Sequence, residues 1–307
     1  MELRQLKYFV AACEAGSLLK ASARLHVAQP ALGQQITALE AELGARLLER
    51  SSRGVALTET GKVFLDYARL ILNDVERARE AVRDSSRVPQ GDVSLGLTTT
   101  VALAATLPIL RACRERLPNV KLKIVEAYSG FLREHLQSGR LDLALLYDDP
   151  LNTGLSWQPL LDDRLVFVTR ADNPIAERLT LAEAVKSPLV LPGREHGLRR
   201  IIDEACAPER LELNVVAEIE ALSSVKQATE AGIGDTVLPL GAVAQEVKEG
   251  RLRTALIDDE RMARRVICAA HAGRPATLAR SAVMALVCEV VRERVDSGAW
   301  PAQWVGG

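Results

Sequence analysis

One polar helical face in this sequence carries side chains that can read the edges of nucleic-acid bases. Gln34 can form two hydrogen bonds with an adenine, and Thr37 can bond a base or touch a thymine methyl group. Gly33 lowers helix stability by about 1 kcal/mol relative to alanine, a loss that close approach to a phosphate or base would justify. The face is small and polar, and it consists of Pro30, Gly33, Gln34, Thr37 and Ala41, with Gln29 at its start.

Three closely spaced helices must position this face. The first is amphipathic, and Ser17 can cap a second helix over Leu18–Leu25. Three residues later Gln29 and Pro30 open the third helix, and Pro30 fits a first turn because its missing N–H is not needed there. This spacing predicts a helix-turn-helix from Leu18 to Thr37 whose last helix enters the major groove.

A hairpin is predicted after the third helix, because Arg53-Gly54 stands between two short apolar runs. Arg50 and Arg53 can neutralise phosphates from this hairpin, and Arg53 at its tip could enter the minor groove. The alternative interpretation is a small helical bundle with an ordinary solvated face, since helix-turn-helix shapes also occur without DNA binding.

A long helix follows, which Thr58 can cap and which we predict from Glu59 to about Ser86. Its apolar residues step by three or four, as in a helix that pairs with a partner in a coiled coil. The turn-rich residues 85–92 mark a boundary. We therefore predict a DNA-binding domain over residues 1–58, a linker and dimerisation helix over 59–88, and a ligand-binding domain over 89–307.

Beyond residue 89, strand-like and helix-like runs alternate, which predicts a parallel α/β sheet. The length favours two lobes, lobe I at about 91–161 and 266–307 and lobe II at about 162–265. In such sheets, ligands bind outside the carboxyl ends of the strands, beside helix N-termini.

Several turns in this domain place hydroxyls and free amides where a helix dipole favours an anion. Arg199 could in addition clamp a carboxylate with two hydrogen bonds. Alternatively, the hydroxyls only cap helices and Arg199 is a solvated surface residue. The sequence predicts a small carboxylate ligand and no metal or cofactor. The candidate contacts are Thr98, Thr99, Thr100, Ser129, His196, Arg199 and Thr236.

The composition is that of an ordinary globular protein, with 307 residues and a net charge of −1. No apolar run reaches the roughly 18 residues that span a bilayer, and charged residues interrupt the N-terminus, so we expect a cytoplasmic protein. The five cysteines form no C-x-x-C pair, which argues against a disulfide framework or a thiolate zinc site.

The N-terminal motifs follow a long ordered pattern. They are Leu6-x-x-Phe9, Gly16-Ser17, the run from Ala21 through Gln29-Pro30-Ala31-Leu32, Ile36-x-x-Leu39-Glu40-x-x-Leu43-Gly44, Leu47-Leu48-x-Arg50 and Leu57-Thr58-x-x-Gly61. In this pattern residues 1–65 closely resemble the LysR-type transcriptional regulators. The chain departs from the family where Ala28 replaces a frequent Ser, and where Gly33-Gln34 replaces a frequent Ser-Arg. A helix cap and a phosphate contact are therefore missing.

The resemblance implies an N-terminal winged helix-turn-helix with a long linker helix, and a C-terminal α/β domain of two lobes resembling type 2 periplasmic binding proteins. It further implies a sequence-specific regulator of promoter DNA that responds to a small-molecule effector bound between the lobes. The expected assembly is a homo-oligomer formed as a dimer of dimers, and RNA polymerase is a further candidate partner. The stretch Leu191-Pro-Gly-x-x-x-Gly-Leu-Arg199 is similar to members that control nitrogen assimilation.

Two other classes of protein compete with this interpretation. An enzyme would need His196 to pair with Asp142 or Asp235, and the chain lacks the nucleophile-elbow, dinucleotide, P-loop and zinc-protease motifs. We therefore expect no enzymatic activity. A plain solute-binding protein is normally exported and has no helix-turn-helix at its N-terminus.

Overall fold

The computed structural model describes residues 1–51, 54–83 and 88–307. These residues form two compact units. The N-terminal unit comprises Met1–Val88 with Glu134–Leu141, and the C-terminal unit comprises Pro89–Arg133 with Asp142–Gly307. No helix in the described part of the chain is long and apolar enough to cross a membrane.

The N-terminal unit contains four helices and one hairpin: α1 (Leu3–Ala15), α2 (Leu18–Leu25), α3 (Gln29–Leu43), β1 (Leu48–Ser51), β2 (Gly54–Leu57) and α4 (Glu59–Arg83). The predicted caps are present, since the Ser17 hydroxyl accepts a hydrogen bond from the Lys20 amide and Thr58 accepts one from the Gly61 amide. Helix α3 has Ala28 as its N-cap residue, so no side chain caps it, and it has proline in its first turn. Local chemistry thus accounts for where these helices start.

The apolar stripe of α3 is buried against the other helices of this unit. Leu32, Ile36 and Leu39 are completely inaccessible to solvent, as is Phe9 of α1. Phe9 also packs against Phe64 of α4, with ring centroids 5.3 Å apart. Because the apolar side is fully used in this core, the polar side of α3 faces outward.

Two glycines fix the hairpin against the helices. The Val55 amide donates a hydrogen bond of 2.9 Å to the Gly16 carbonyl, and a Cβ on Gly54 would lie 2.5 Å from the same oxygen. A Cβ on Gly61 would lie only 2.0 Å from the Leu47 carbonyl oxygen. These close approaches require glycine because any side chain would push the two backbones apart.

The C-terminal unit is an α/β structure with strands β3 (Gly91–Leu97), β4 (Val120–Glu126), β5 (Leu143–Tyr147), β6 (Leu155–Arg170), β7 (Arg178–Leu179), β8 (Leu189–Leu191), β9 (Val215–Glu218), β10 (Thr236–Pro239), β11 (Leu252–Ile257), β12 (Ala263–His271) and β13 (Gln303–Trp304). Its helices are α5 (Thr99–Arg116), α6 (Ser129–Gln137), α7 (Leu181–Ala184), α8 (Gly197–Cys206), α9 (Leu222–Glu230), α10 (Leu240–Lys248) and α11 (Leu278–Asp296), with a 3₁₀ turn at Ala207–Glu209.

Two hydrophobic cores divide this unit into two lobes. One core uses residues between 93 and 161 and between 266 and 300, and the other uses residues between 165 and 262. Strand β6 belongs to both lobes, because its first part pairs with β12 and its last part pairs with β10 and β11. The lobes therefore share β6 and the adjoining start of β12.

The prediction of a parallel sheet was only partly correct. Strands β3, β4 and β5 are parallel, and β8 pairs in parallel with β9, but β12, β10 and β11 all run antiparallel to β6. The alternation of strand-like and helix-like runs does not reveal the full sixteen-residue length of β6, nor the presence of β11 beside it. Charged and polar residues interrupt the apolar pattern of both strands, so periodicity alone did not reveal them.

We predict that Gly61→Ala lowers the stability of the N-terminal unit by about 1–3 kcal/mol, because the added methyl group must displace the Leu47 carbonyl. Chemical denaturation followed by far-UV circular dichroism measures this loss. All three tryptophans lie in the C-terminal unit, so tryptophan fluorescence should report an unchanged transition there. Gly33→Ala is the control, since its Cβ would meet nothing closer than 4.0 Å. Equal midpoints for the two variants would contradict the prediction.

Candidate nucleic-acid interface and ligand cleft

The outward side of α3 forms an open groove together with the start of α2 and the hairpin. Gln29, Pro30, Gln34 and Thr37 are exposed, and Gly33 is half-buried. The groove contains no large apolar group from α3, so a duplex edge can approach the helix backbone closely. Its lining residues are Leu18, Gln29, Pro30, Gly33, Gln34, Thr37, Ala38, Ala41 and Arg50.

Arg50 reaches across this groove to α3. Its Nη2 atom donates a 3.0 Å hydrogen bond to the Thr37 hydroxyl, which itself donates to the Gly33 carbonyl at 3.0 Å. Glu40 lies 3.8 Å from the same guanidinium. The Thr37 hydroxyl is therefore engaged within the protein, while the Gln34 amide remains exposed toward a ligand. Arg53, the predicted minor-groove residue, lies outside the described residues.

A second site lies at the N-terminus of α5 in the C-terminal unit. Thr98 is the N-cap residue, and Thr99 and Thr100 occupy the first turn. The Thr100 hydroxyl bonds the hydroxyl of Tyr147 and accepts a 2.9 Å hydrogen bond from Nη2 of Arg264. Thr100 therefore belongs to a polar cluster that the sequence did not reveal.

Arg264 is the centre of this cluster. Its side chain is 4% exposed, its guanidinium carbon lies 3.8 Å from the Tyr147 ring centroid, and Asp163 is 3.5 Å away. Burial raises the pKa of Asp163, which the Arg264 charge opposes, and burial likewise raises the pKa of Tyr147. Among the described residues, the Arg264 Nε atom has no hydrogen-bond partner.

The sequence does not reveal this cluster because its members are far apart along the chain. Arg264 lies on β12, Asp163 on β6 and Tyr147 at the end of β5. They meet only because these strands pair side by side. One feature of the sequence points to the cluster: Arg264 and Arg265 stand at the edge of an apolar run. Charged residues are unusual in a buried strand.

Tyr128 and His196 face each other across the two lobes. Their rings make an edge-on contact with centroids 5.4 Å apart, and the Tyr128 hydroxyl donates to the Glu220 carbonyl at 3.4 Å. His196 caps α8 by accepting a hydrogen bond from the Leu198 amide through Nδ1, and burial lowers its pKa. Ser129 starts α6 directly after Tyr128. Burial therefore favours the uncharged form of the imidazole at this contact between the lobes.

Arg199 and Thr236 are enclosed within lobe II. Arg199 is 4% exposed and donates to Asp203, to Glu218 and to the Pro192 carbonyl. Arg199 is therefore not a solvated surface residue, which was the alternative interpretation of the sequence. A ligand carboxylate that bound Arg199 would have to displace these partners. The Thr236 hydroxyl is fully buried and has no hydrogen-bond partner in the part of the chain that the structure describes.

The acid–base pair that an enzyme would need does not form around Asp142. This carboxylate accepts hydrogen bonds from the Ser94 amide at 2.8 Å and from the Ser94 hydroxyl at 2.6 Å. Asp142 therefore links the middle of β3 to the start of β5, and His196 is bonded to the α8 backbone instead.

Comparison with known proteins identifies both units. Residues 3–62 match the model of the bacterial regulatory helix-turn-helix protein, lysR family, and residues 86–292 match the LysR substrate binding domain. The chain belongs to the LysR family. It is a LysR-type DNA-binding transcriptional regulator with an effector-binding domain, and it is not an enzyme.

Individual LysR-type relatives agree with this assignment. The chain is 39% identical over 243 residues to the nitrogen assimilation regulatory protein nac of Klebsiella aerogenes, which covers 79% of each chain. Full-length CbnR in complex with its target DNA aligns at 26% identity and a TM-score of 0.69, over 95% of this chain and 99% of that one. A full-length OxyR variant from Pseudomonas aeruginosa, at 24% identity and a TM-score of 0.76 over 95% of each chain, shares the fold.

We predict that Gln34→Ala weakens binding to a specific promoter fragment by about 1–3 kcal/mol, because the exposed amide can pair with one base edge. Fluorescence anisotropy at low salt with the fragment upstream of the protein's own coding region measures the change. Gln35→Ala is a matched control, since Gln35 is half-buried and does not line the groove. Equal losses for the two variants would remove Gln34 from the interface.

Proposed function

We propose that this LysR-type regulator is controlled by a small carboxylate that binds between the lobes of its C-terminal unit. The observation that carries the proposal is the buried Arg264 guanidinium, which reaches Thr100 at the N-terminus of α5 and whose Nε atom has no hydrogen-bond partner within residues 1–51, 54–83 and 88–307. A carboxylate placed there would receive hydrogen bonds from a cation and gain from the helix dipole.

Asp163 supplies a negative charge that competes with the proposed carboxylate for Arg264. Its carboxylate lies 3.5 Å from Arg264, a loose ion pair, and one of its oxygens has no partner among the described residues. Because burial raises the pKa of Asp163, this side chain can take up a proton when a second anion enters. The effector would then replace Asp163 as the partner of Arg264.

Replacement of this ion pair gives the ligand a means to move the lobes. Asp163 lies on β6 and Arg264 on β12, at the point where these strands pass from one lobe into the other. The Tyr128–His196 ring contact joins the lobes at a second place. A ligand that binds one arrangement of the lobes more tightly shifts the population toward it.

The N-terminal unit would convert this shift into a change on DNA. We propose that α4 pairs two chains and sets the spacing of two DNA-reading heads, in a cytoplasmic homotetramer built as a dimer of dimers. A change in lobe arrangement would alter the spacing of the heads or the bend of the promoter, and thereby its use by RNA polymerase. The 39% identity to nac supports a place among regulators of nitrogen assimilation.

Calorimetry with a panel of small mono- and dicarboxylates and their uncharged amides tests the effector class. We expect a carboxylate to bind the wild type, and Thr100→Ala to bind it about fivefold more weakly, the loss of one hydrogen bond. Asp163→Asn should bind it about tenfold more tightly, because the competing charge is gone. Thr254→Ala, on β11, serves as the control.

Three outcomes would contradict this proposal. They are binding of the amides as tightly as the acids, unchanged affinity in Thr100→Ala, and weaker binding in Asp163→Asn. Arg264→Gln is less suitable as a first test, since it leaves Asp163 buried without its cation, which typically costs about 3–5 kcal/mol.

The proposed assembly predicts a particle of four chains at micromolar protein concentration, each chain having a mass of 33.4 kDa. Multi-angle light scattering measures this mass directly. Adding a promoter fragment should leave the protein stoichiometry unchanged, because the heads are already paired. A monomer under these conditions would refute the arrangement.

A further inference from the structure

Two of the five cysteines, distant in sequence, lie side by side in lobe I. Cys268 is on β12 in the centre of the sheet, where it pairs with Leu145 of β5 on one side and Gln158 of β6 on the other. Cys288 is on α11, which packs against the same core. Both side chains contribute to the core of lobe I, and all five cysteines are reduced.

Gln158 completes the cluster. Its Nε2 atom donates a hydrogen bond of 2.8 Å to the Cys288 sulfur, and its backbone lies directly opposite Cys268 in the sheet register. The Cys288 sulfur therefore accepts a hydrogen bond from the amide of the residue that is paired with Cys268. Donors directed at a sulfur atom favour its thiolate form.

The two cysteines consequently differ in acidity. Interaction with the Cys268 thiol lowers the pKa of Cys288, with a further contribution from the Gln158 hydrogen bond, against the opposing effects of burial and of the Glu289 charge. The same interaction between the thiols, together with burial, raises the pKa of Cys268. Burial raises the pKa of the remaining cysteines as well, and that of Cys13 to about 12.

Cys288 and Cys268 also differ in their access to solvent. Cys288 is half-buried and its partner Gln158 is exposed, whereas Cys268 is 2% exposed. A small oxidant can therefore reach the sulfur that has the thiolate character, and the thiol behind it is shielded. This is the arrangement of an attacking cysteine with a resolving cysteine.

We propose that Cys288 and Cys268 form an oxidant-sensitive dithiol that a hydroperoxide converts to a disulfide. The Cys288 thiolate attacks the peroxide oxygen, the O–O bond breaks, and an alcohol or water leaves after taking up one proton. The resulting Cys288 sulfenic acid then reacts with the Cys268 thiol, which forms the S–S bond and releases water. Two electrons pass from the two sulfurs to the peroxide.

The disulfide would tie α11 to β12, the strand that carries Arg264. The pair is nevertheless separate from the effector cleft, because neither sulfur touches Thr100, Arg264 or Asp163 in the described hydrogen bonds. The inference therefore does not depend on the proposed carboxylate, and either can fail without the other.

Treatment of the full-length protein with hydrogen peroxide, followed by intact-mass analysis and peptide mapping without reduction, tests the proposal. We expect a mass loss of about 2 Da and one cross-linked peptide pair that contains Cys268 and Cys288. Before oxidation, iodoacetamide should label Cys288 at least about tenfold faster than Cys13. A dithiothreitol wash should restore the starting mass.

Three serine variants separate the roles of the two sulfurs. Cys288→Ser should abolish both the mass loss and the fast labelling, and Cys268→Ser should accumulate a sulfenic acid on Cys288 that dimedone traps. Cys113→Ser, another buried cysteine of lobe I, should behave as the wild type. Slow labelling of Cys288 in the wild type, a cross-link between other cysteines, or oxidation of Cys288 without any cross-link would overturn the proposal.

Discussion

A guanidinium that is enclosed by protein needs partners for its charge, since the cost of removing it from water is several kcal/mol even after relaxation. In this protein Arg264 has three such partners: the Asp163 carboxylate, the Tyr147 ring and the Thr100 hydroxyl. Each comes from a different secondary-structure element. The Arg264 guanidinium therefore constrains the positions of α5, β5 and β6 relative to β12.

The same interaction underlies the proposed movement of the lobes. The ion pair is loose, at 3.5 Å, and polar atoms on both partners lack hydrogen bonds in the described part of the chain. An incompletely satisfied buried pair is easily rearranged by a ligand that satisfies it better. Strands β6 and β12 cross between the lobes here, so any rearrangement acts on both lobes at once.

The N-terminal unit differs from this rearrangeable polar site, because a closely packed apolar core lies beneath its open polar surface. Leu32, Ile36 and Leu39 of α3 are completely buried, and backbone contacts at Gly54 and Gly61 fix the hairpin to the helices. The candidate duplex-binding groove on α3 therefore lies on a closely packed core. Arg50 and Thr37 are already bonded to each other, so part of the surface is ordered before DNA arrives.

The sequence by itself determined the local structure and the family. Ser17 and Thr58 cap their helices and Pro30 lies in the first turn of α3, so these helix starts depend on neighbouring residues only. The apolar spacing of α3 decides which of its sides faces outward. Only the tertiary structure decided which distant residues share a site. The Arg264 cluster and the Cys268–Cys288 pair come from strands and helices that pair across long stretches of chain, and the partner of a strand cannot be read from its own residues.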